Sequence, residues 1–535
     1  MTLTQGLTQW SMASQRLASR PDLLNLLNIW RWRSRLGSAV FCSRPASTIK
    51  APPDMLIAHN YIDGQWLKPS GVHAIGDSLN PATGEKAAQF VAASVQEVDA
   101  AIASARTAFE STTWAQQPKL RSDVLRLFAD RLEHNKAQVV QTLVQLNGKL
   151  QREAEGEVMA GISELRYYAG LARNLFGRVI EMEPDVYSHI EREAIGVAAI
   201  IVPWNAPVTL LVRSLAPALA AGCTVVIKAA HQTALVHTQV MACLVADERI
   251  PAGVINSFIE QDIVATQHLC AHPEVDVISF TGSTHVGQQI ALSTAKNLTR
   301  LSLELGGKAP AIVRADANMS AAVRGIVGGA CVMAGQMCTA ISRVLVHESL
   351  AAEFSAQLAR ALAQVKVGPG DQPSSGMGPL IDQRNQARLL EEVRAAATDC
   401  RVLLAGQVPA DTPRGGAFIT PSLVATQDLS SHFVQDEIFG PMITLETFAS
   451  DEDAVQRANA TRYGLAASVW TADHRAARQI TRRVKFGNVW VNAHNRLFAE
   501  IETGGYRQSG FGRLHGVEGL NDFMETKHVF MPCHD

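Results

Sequence analysis

Apolar and polar positions along the chain fall into two rhythms. Near the start, Tyr61-Ile62-Asp63-Gly64-Gln65-Trp66 places strand-forming residues on both sides of an Asp-Gly pair, which predicts a hairpin turning at 63–64. Ser94 followed by Glu97 predicts a capping box that opens an amphipathic helix, with Val98, Ile102, Ala105 and Phe109 on one face. Val124, Leu125, Phe128 and Leu132 mark another helix. From Val197 the rhythm changes. The unbroken apolar run 197–202 predicts a buried strand, and a helical stretch follows to about Ala221. A strand at 224–228, a helix from Thr233 to about Asp247, and strands at 254–259 and 275–280 with a helix between them continue the alternation. Strand–helix alternation of this kind predicts an α/β fold with a Rossmann-like, doubly wound parallel sheet. Ligands of such sheets bind outside the carboxyl ends of the strands. A second α/β unit runs from about Ala309 to Gln508, and alternating residues around Pro184-Asp185 predict a hairpin extending from the body at 177–193.

Composition narrows the class. At 535 residues, 47% hydrophobic and 18% charged, the chain is long enough for two or more domains with substantial cores. A net charge of −2 gives no electrostatic case for nucleic acid or an anionic membrane, and no apolar run reaches the length of a membrane span. Eight cysteines without a C-x-x-C pair argue against a disulfide framework or a zinc site; no metal is expected, and a reducing compartment fits. The leader, taken as residues 1–54, is different. Up to about residue 53 it carries Arg16, Arg20, Arg31, Arg33, Arg35 and Arg44 against one acid, Asp22. It reads either as an organelle transit peptide or as a poorly ordered extension before a true start at Met55. The protein is thus expected in the cytoplasm, or in mitochondria if the leader is a transit signal.

Two segments carry the chemistry. Leu303-Glu304-Leu305-Gly306-Gly307-Lys308 offers a carboxylate beside two glycines, and Gly335-Gln336-Met337-Cys338 offers a thiol in a small turn. A cysteine nucleophile with a separate carboxylate base can form and then hydrolyse a thioester. A second set follows strand ends: Pro203-Trp204-Asn205, then Lys228, then Gly282-Ser283-Thr284-His285-Val286-Gly287 opening a helix whose N–H groups can hold a pyrophosphate. Glu437-Ile438-Phe439-Gly440-Pro441 lies further on.

In order and spacing these segments resemble the aldehyde dehydrogenase superfamily, from about Ile57 to the C-terminus. The resemblance implies an NAD- or NADP-dependent enzyme of the hydrolytic kind, with Cys338 as nucleophile, Glu304 as base for the hydrolytic water, and Asn205 with the Cys338 N–H as oxyanion donors. Acylating relatives, which pass the acyl group to coenzyme A, need no such base. The resemblance also implies that Trp204, Lys228, His231, Ser283, Glu437 and Phe439 surround the cofactor: Lys228 at the adenosine ribose, Ser283 at a phosphate, Glu437 and Phe439 at the nicotinamide ribose and ring. It implies cofactor-binding segments 55–175 and 195–307, a catalytic domain 308–514, and oligomerisation elements 176–194 and 515–535, giving a homodimer or homotetramer.

Several positions depart from the family pattern. His231 stands where relatives often carry a ribose-binding Glu; without that fixed negative charge NADP use is open, and a surface role without consequence is equally open. Glu260-Gln261-Asp262 replaces a Gly-rich turn, and its acids face either the adenosine or solvent. Arg213 and Ser214 stand where many relatives have Trp and Lys. Succinate-semialdehyde relatives carry an Arg at this position to grip a substrate carboxylate, but their second Arg falls on Val332 here; the other reading pairs Arg213 with a protein acid. Ala206 is small where relatives have an aromatic, and Leu497 and Thr503 are expected at the tunnel mouth, with Asn492 and Asn495 either polar lining or backbone caps. The expected partner is a small aldehyde. The rival from another class is a non-catalytic structural protein on the same fold.

Overall fold

The computed structural model describes residues 57–68 and 75–531; the leader reading lies outside them. Its frame is two sheets joined in series. The first has five parallel strands: β1 (Val197–Ile201), β2 (Thr224–Ala230), β3 (Ile255–Glu260), β4 (Val277–Thr281) and β5 (Arg300–Glu304). They lie side by side in the order β5-β4-β1-β2-β3. That order is the doubly wound arrangement expected from the sequence, with its switch point between β1 and β4. All five residues of β1 are buried, as a strand covered on both faces requires.

The predicted hairpin edges this sheet. Tyr61 pairs with Trp66 and Ile62 with Gln65, and Asp63 and Gly64 both take the left-handed backbone that a tight two-residue turn needs. The opposite edge is closed from far along the chain: Gly510–Phe511 runs antiparallel to β5. A segment that sequence order assigns to the second unit therefore finishes the first sheet.

The second sheet contains β6 (Ala309–Val313), β7 (Ile341–His347), β8 (Ser422–Ala425), β9 (Met442–Phe448), β10 (Ala466–Trp470) and β11 (Asn488–Val491), in the order β8-β9-β7-β6-β10-β11. Arg401–Leu404 adds an antiparallel edge beside β8. Only Leu305–Lys308 separates the end of β5 from the start of β6, so the functional segments gather at the seam between the sheets.

Helix α1 (Pro207–Ala221) leaves the end of β1. Proline at its first position needs no N–H partner, and Gly222, in the left-handed region, ends it. Helix α2 (Val264–Ala271) follows β3, and helix α3 (Thr284–Thr294) follows β4. Apart from the frame, Arg178–Glu183, Val186–Ala194 and Met524–Phe530 make a three-stranded sheet, so the hairpin around Pro184-Asp185 does form and the C-terminal segment does join it. The capping box at Ser94 and Glu97 is present. Val98, Ile102 and Ala105 are buried as expected, but Phe109 is only half-buried and Ala101 and Ala108 complete the face.

Candidate active site

The turn that carries Cys338 follows helix α4 (Met319–Cys331), whose last residue, Cys331, is buried core. Met333, Ala334 and Gly335 then adopt three successive left-handed conformations. For Met and Ala this is costly backbone, on the order of 1 kcal/mol or more each, and it is held by identifiable bonds. Glu153 Oε1 accepts the Met333 N–H at 2.9 Å, and the Gln336 side chain donates to Met333 O and accepts from Ile381 N. Gly335 packs onto Gly440, where a Cβ would strike backbone. After the turn the Cys338 thiol is half-buried, and Ile341 pairs with Ala309 where β7 and β6 begin.

The base segment reaches this turn because it contains two glycines. A Cβ on Gly307 would be driven into Cys338 O, and a Cβ on Gly306 into the Glu437 carboxylate. Gly307 N donates to Glu437 Oε1 at 3.1 Å. Ser509 locks the same segment: its hydroxyl donates to Gly306 O at 2.6 Å, and its carbonyl accepts from Leu305 N. Glu304 ends β5 and is buried; its Oε1 has no hydrogen-bond partner among the described residues. Burial is the main cause raising its pKa, offset by Arg213. Cys338 is likewise pushed up, to about 12, chiefly by burial, with Arg213 the leading counter-influence.

Asn205 follows β1 and donates from Nδ2 to Gln336 O at 3.0 Å, two residues before the thiol. One of its two N–H bonds is thereby used to hold the amide beside Cys338, and the other remains for an oxyanion. Trp204 stands edge-on to Phe439, ring centroids 5.8 Å apart, and Trp204 O accepts from Asn147. Phe439 occupies the left-handed region beside Glu437, whose burial pushes its carboxyl up to about 7.

On the adenosine side, Lys228 sits in β2 opposite Ile201, its pKa lowered by burial. His231 packs on Phe90 with ring centroids 5.7 Å apart. Burial, followed by the Lys228 charge, lowers its pKa, so the imidazole is neutral near pH 7 and no ready partner for a phosphate. Glu260 faces neither ribose nor solvent. It is buried and accepts from Ala265 N and Thr266 N at the start of α2. Ser283 caps α3 through Val286 N. The turn at 282–286 is open to solvent, and the first N–H groups of α3 have no partner within the helix. These features suit a dinucleotide: an open helix N-terminus at the switch point for the pyrophosphate, a lysine at the second strand, and a buried carboxylate with an aromatic ring next to the thiol.

The substrate-side residues divide. Arg213 is buried in α1. Its Nη2 donates to Thr281 Oγ1 at 2.9 Å and its Nη1 lies 4.0 Å from Glu304 Oε2, so a protein acid lies within charge range, as one of the two readings has it. Ser214 is bonded to Ser279. Ala206 caps α1 and is half-buried; Thr503 is buried in a two-residue bridge with Leu514; Leu497 is exposed. Asn492 bonds the backbone of Thr471 at both ends and is a cap. Asn495 accepts from Thr339 Oγ1 beside the nucleophile.

His494, Gln336 and Glu153 escaped the sequence reading. His494 bonds Thr339 O at 2.7 Å and is held neutral by burial, its pKa pulled down to about 4. No local pattern signals these contacts. Only Gln336, lying inside the Gly335–Cys338 segment, was within reach of motif reading.

Known proteins match this chain over most of its length. The model of the aldehyde dehydrogenase family matches residues 66–529. A betaine aldehyde dehydrogenase of Bacillus subtilis is 34% identical over 474 residues, 88% of this chain and 96% of the relative. A phenylacetaldehyde dehydrogenase of Pseudomonas fluorescens is 34% identical over 490 residues, 90% and 96% of the two chains. The solved structure of betaine aldehyde dehydrogenase from Staphylococcus aureus in complex with NAD+ superposes with a TM-score of 0.84, at 32% identity, covering 88% of this chain and 94% of that one.

Proposed function

The chain belongs to the aldehyde dehydrogenase family and is an NAD(P)-dependent oxidoreductase of aldehydes; from that premise we propose that Cys338 is its nucleophile, Glu304 its hydrolytic base and Asn205 its oxyanion donor. The observation that carries this reading is the approach of Gly307 to the Cys338 carbonyl, too close for any side chain, which sets the base segment against the backbone of the cysteine turn.

In this reading the Cys338 thiolate adds to the aldehyde carbon and forms a C–S bond. The free N–H of Asn205 and the Cys338 backbone N–H receive the oxyanion. Trp204, Glu437 and Phe439 would hold the nicotinamide, which would supply the two-electron acceptor needed for the adduct to become a thioester. The Glu304 carboxylate takes a proton from water. The hydroxide adds to the thioester carbon, the C–S bond breaks, and thiolate returns to Cys338 as the acid leaves.

A finer reading concerns cofactor and substrate. Neutral His231 favours NAD over NADP, since it offers a 2′-phosphate no charge. The loop after Asn495 carries exposed Leu497, Phe498 and Ile501, and Ala206 leaves room at the head of α1; these support an uncharged apolar aldehyde, as the phenylacetaldehyde relative uses. The exposed apolar residues Phe176, Val179, Met182 and Phe530 on and beside the three-stranded sheet support a homodimer or homotetramer. The six cysteines among the described residues are all free, which fits the cytoplasm, or mitochondria if the leader is a transit signal.

One assay tests the reading: reduced-cofactor formation with NAD and NADP, on two aldehydes of equal length ending in a methyl group or a carboxylate. Wild type is expected to prefer NAD and the uncharged aldehyde, and Cys338→Ser to bind cofactor but oxidise neither. Turnover by Cys338→Ser removes the nucleophile assignment; preference for the acid removes the apolar substrate.

A further inference from the structure

Arg213 is a buried charge with incomplete bonds that lies within 4.0 Å of Glu304. Nη2 is tied to Thr281 Oγ1, Nη1 lies 4.0 Å from Glu304 Oε2, and Nε has no partner among the described residues. Thr281 and Glu304 are register partners at the carboxyl ends of β4 and β5, so one guanidinium reaching down from α1 spans both strand ends. At 4.0 Å the cation acts on the carboxylate by charge and not through a direct hydrogen bond. A bidentate pair would occupy the lone pairs that a base needs; this arrangement leaves Glu304 Oε1 buried but without a hydrogen bond among the described residues.

We propose that Arg213 is a positioning residue for the catalytic pair, anchored by Thr281 so that its charge keeps Glu304 a carboxylate facing the hydrolytic water and favours the thiolate of Cys338. The guanidinium is thereby committed to the enzyme's own base and is not offered to a substrate carboxylate. The inference rests on the roles given above to Cys338 and Glu304.

The neighbours support this assignment. The other charges felt by Glu304 come from the C-terminal segment, and each has its own partner. His515 bonds Glu164 at 2.8 Å, Arg513 donates to Gly505 and Gly512 carbonyls, and Asp522 accepts from Ser302 and Arg513 N. Cys338 feels Arg213 against two acids, Glu304 and Glu437. Arg213 is the one cation acting on both members of the pair, and burial raises the pKa of both. Removing the cation moves both titrations further upward. The thiol then ionises at higher pH, and the base is lost earlier on acidification.

The test reads alkylation of Cys338 by iodoacetamide across pH, followed by intact mass and without cofactor or aldehyde, alongside the acid limb of kcat. For Arg213→Met the alkylation midpoint should rise by about one unit, roughly a tenfold slower reaction at pH 8, and the kcat limb should move the same way. Arg213→Lys keeps a charge and should restore most of both shifts. Thr281→Val frees the guanidinium and should give smaller shifts in the same direction, which keeps the test informative if Arg213→Met does not fold. Profiles in Arg213→Met or Thr281→Val that superimpose on wild type, or Arg213→Lys as impaired as Met, overturn the inference. If wild-type Cys338 resists alkylation altogether, or Glu304→Gln turns over normally, the underlying reading of the site has failed instead.

Discussion

The two halves of the molecule each bury an arginine beside a glutamate, and the pairs are built differently. In the second sheet, Arg343 on β7 meets Glu446 on β9 through two bonds, 2.7 and 2.9 Å long, and also donates to Arg457 O. Both side chains are wholly buried. At the seam, Arg213 and Glu304 are nearly as buried but stand 4.0 Å apart, each with a polar atom unpartnered. The same residue types serve two ends. A bonded pair in a sheet centre fixes the packing of its strands, whereas a pair held at a distance keeps unsatisfied groups available for chemistry. Buried polar atoms without partners are costly, and Arg343 Nη1 in the framework pair lacks one among the described residues too, so the 4.0 Å gap between the charges is what sets the seam pair apart.

The largest expected effect breaks the framework pair. Arg343→Met leaves Glu446 buried with only the more distant Arg457 at 3.9 Å, and should lower stability by about 3–5 kcal/mol. Urea unfolding measures this, and the double variant Arg343→Met/Glu446→Leu should recover most of the loss. A double variant as unstable as the single would show that the pair's shape, not its charge balance, matters.

Glu304→Gln sharpens the other side of the comparison. It should unfold close to wild type, because the carboxylate makes no direct side-chain hydrogen bond there. It should nevertheless stop turnover and accumulate an acyl adduct on Cys338, visible as added mass after mixing with aldehyde and cofactor. A loss of several kcal/mol in stability would place Glu304 with the framework after all.

The smallest effect concerns strain beside the thiol. Met333 holds a left-handed conformation that asparagine tolerates better. Met333→Asn should therefore stabilise the fold by less than about 1 kcal/mol, read as a small rise in Tm. A fall in Tm would mean that the Met side chain contributes more in packing than its backbone costs.

Much of the first sheet was legible in the sequence, for physical reasons. Runs such as 197–202 are apolar on both faces because both are covered, and the Asp63-Gly64 and Ser94-x-x-Glu97 signals act within a few residues. Cys338, Glu304 and Asn205 could be singled out because such chemistry restricts residue type and the family resemblance supplied their order; the roles proposed for them come from that resemblance. The second unit was readable only as a unit, without its strand order. The contacts that give meaning to the site were not legible either. Arg213 and Glu304 lie on different elements, and sequence alone left the partner of Arg213 open. Sequence left Glu260 facing either the adenosine or solvent, and its bonds to Ala265 and Thr266 at the start of the next helix could not be read from it. The left-handed turn at Met333 and Ala334 gives no signal, since neither residue favours that backbone.

The clasp of Ser509 on Gly306 orders events in time as well as space. The two residues are 203 positions apart, which a ribosome covers in roughly 10–40 s at ordinary elongation rates. Cys338 and Glu437 are both made within that interval, so the bond from Gly307 to Glu437 can precede the clasp, and the edge strand Gly510–Phe511 comes last. The topology thus leaves completion of the first sheet to the last part of synthesis.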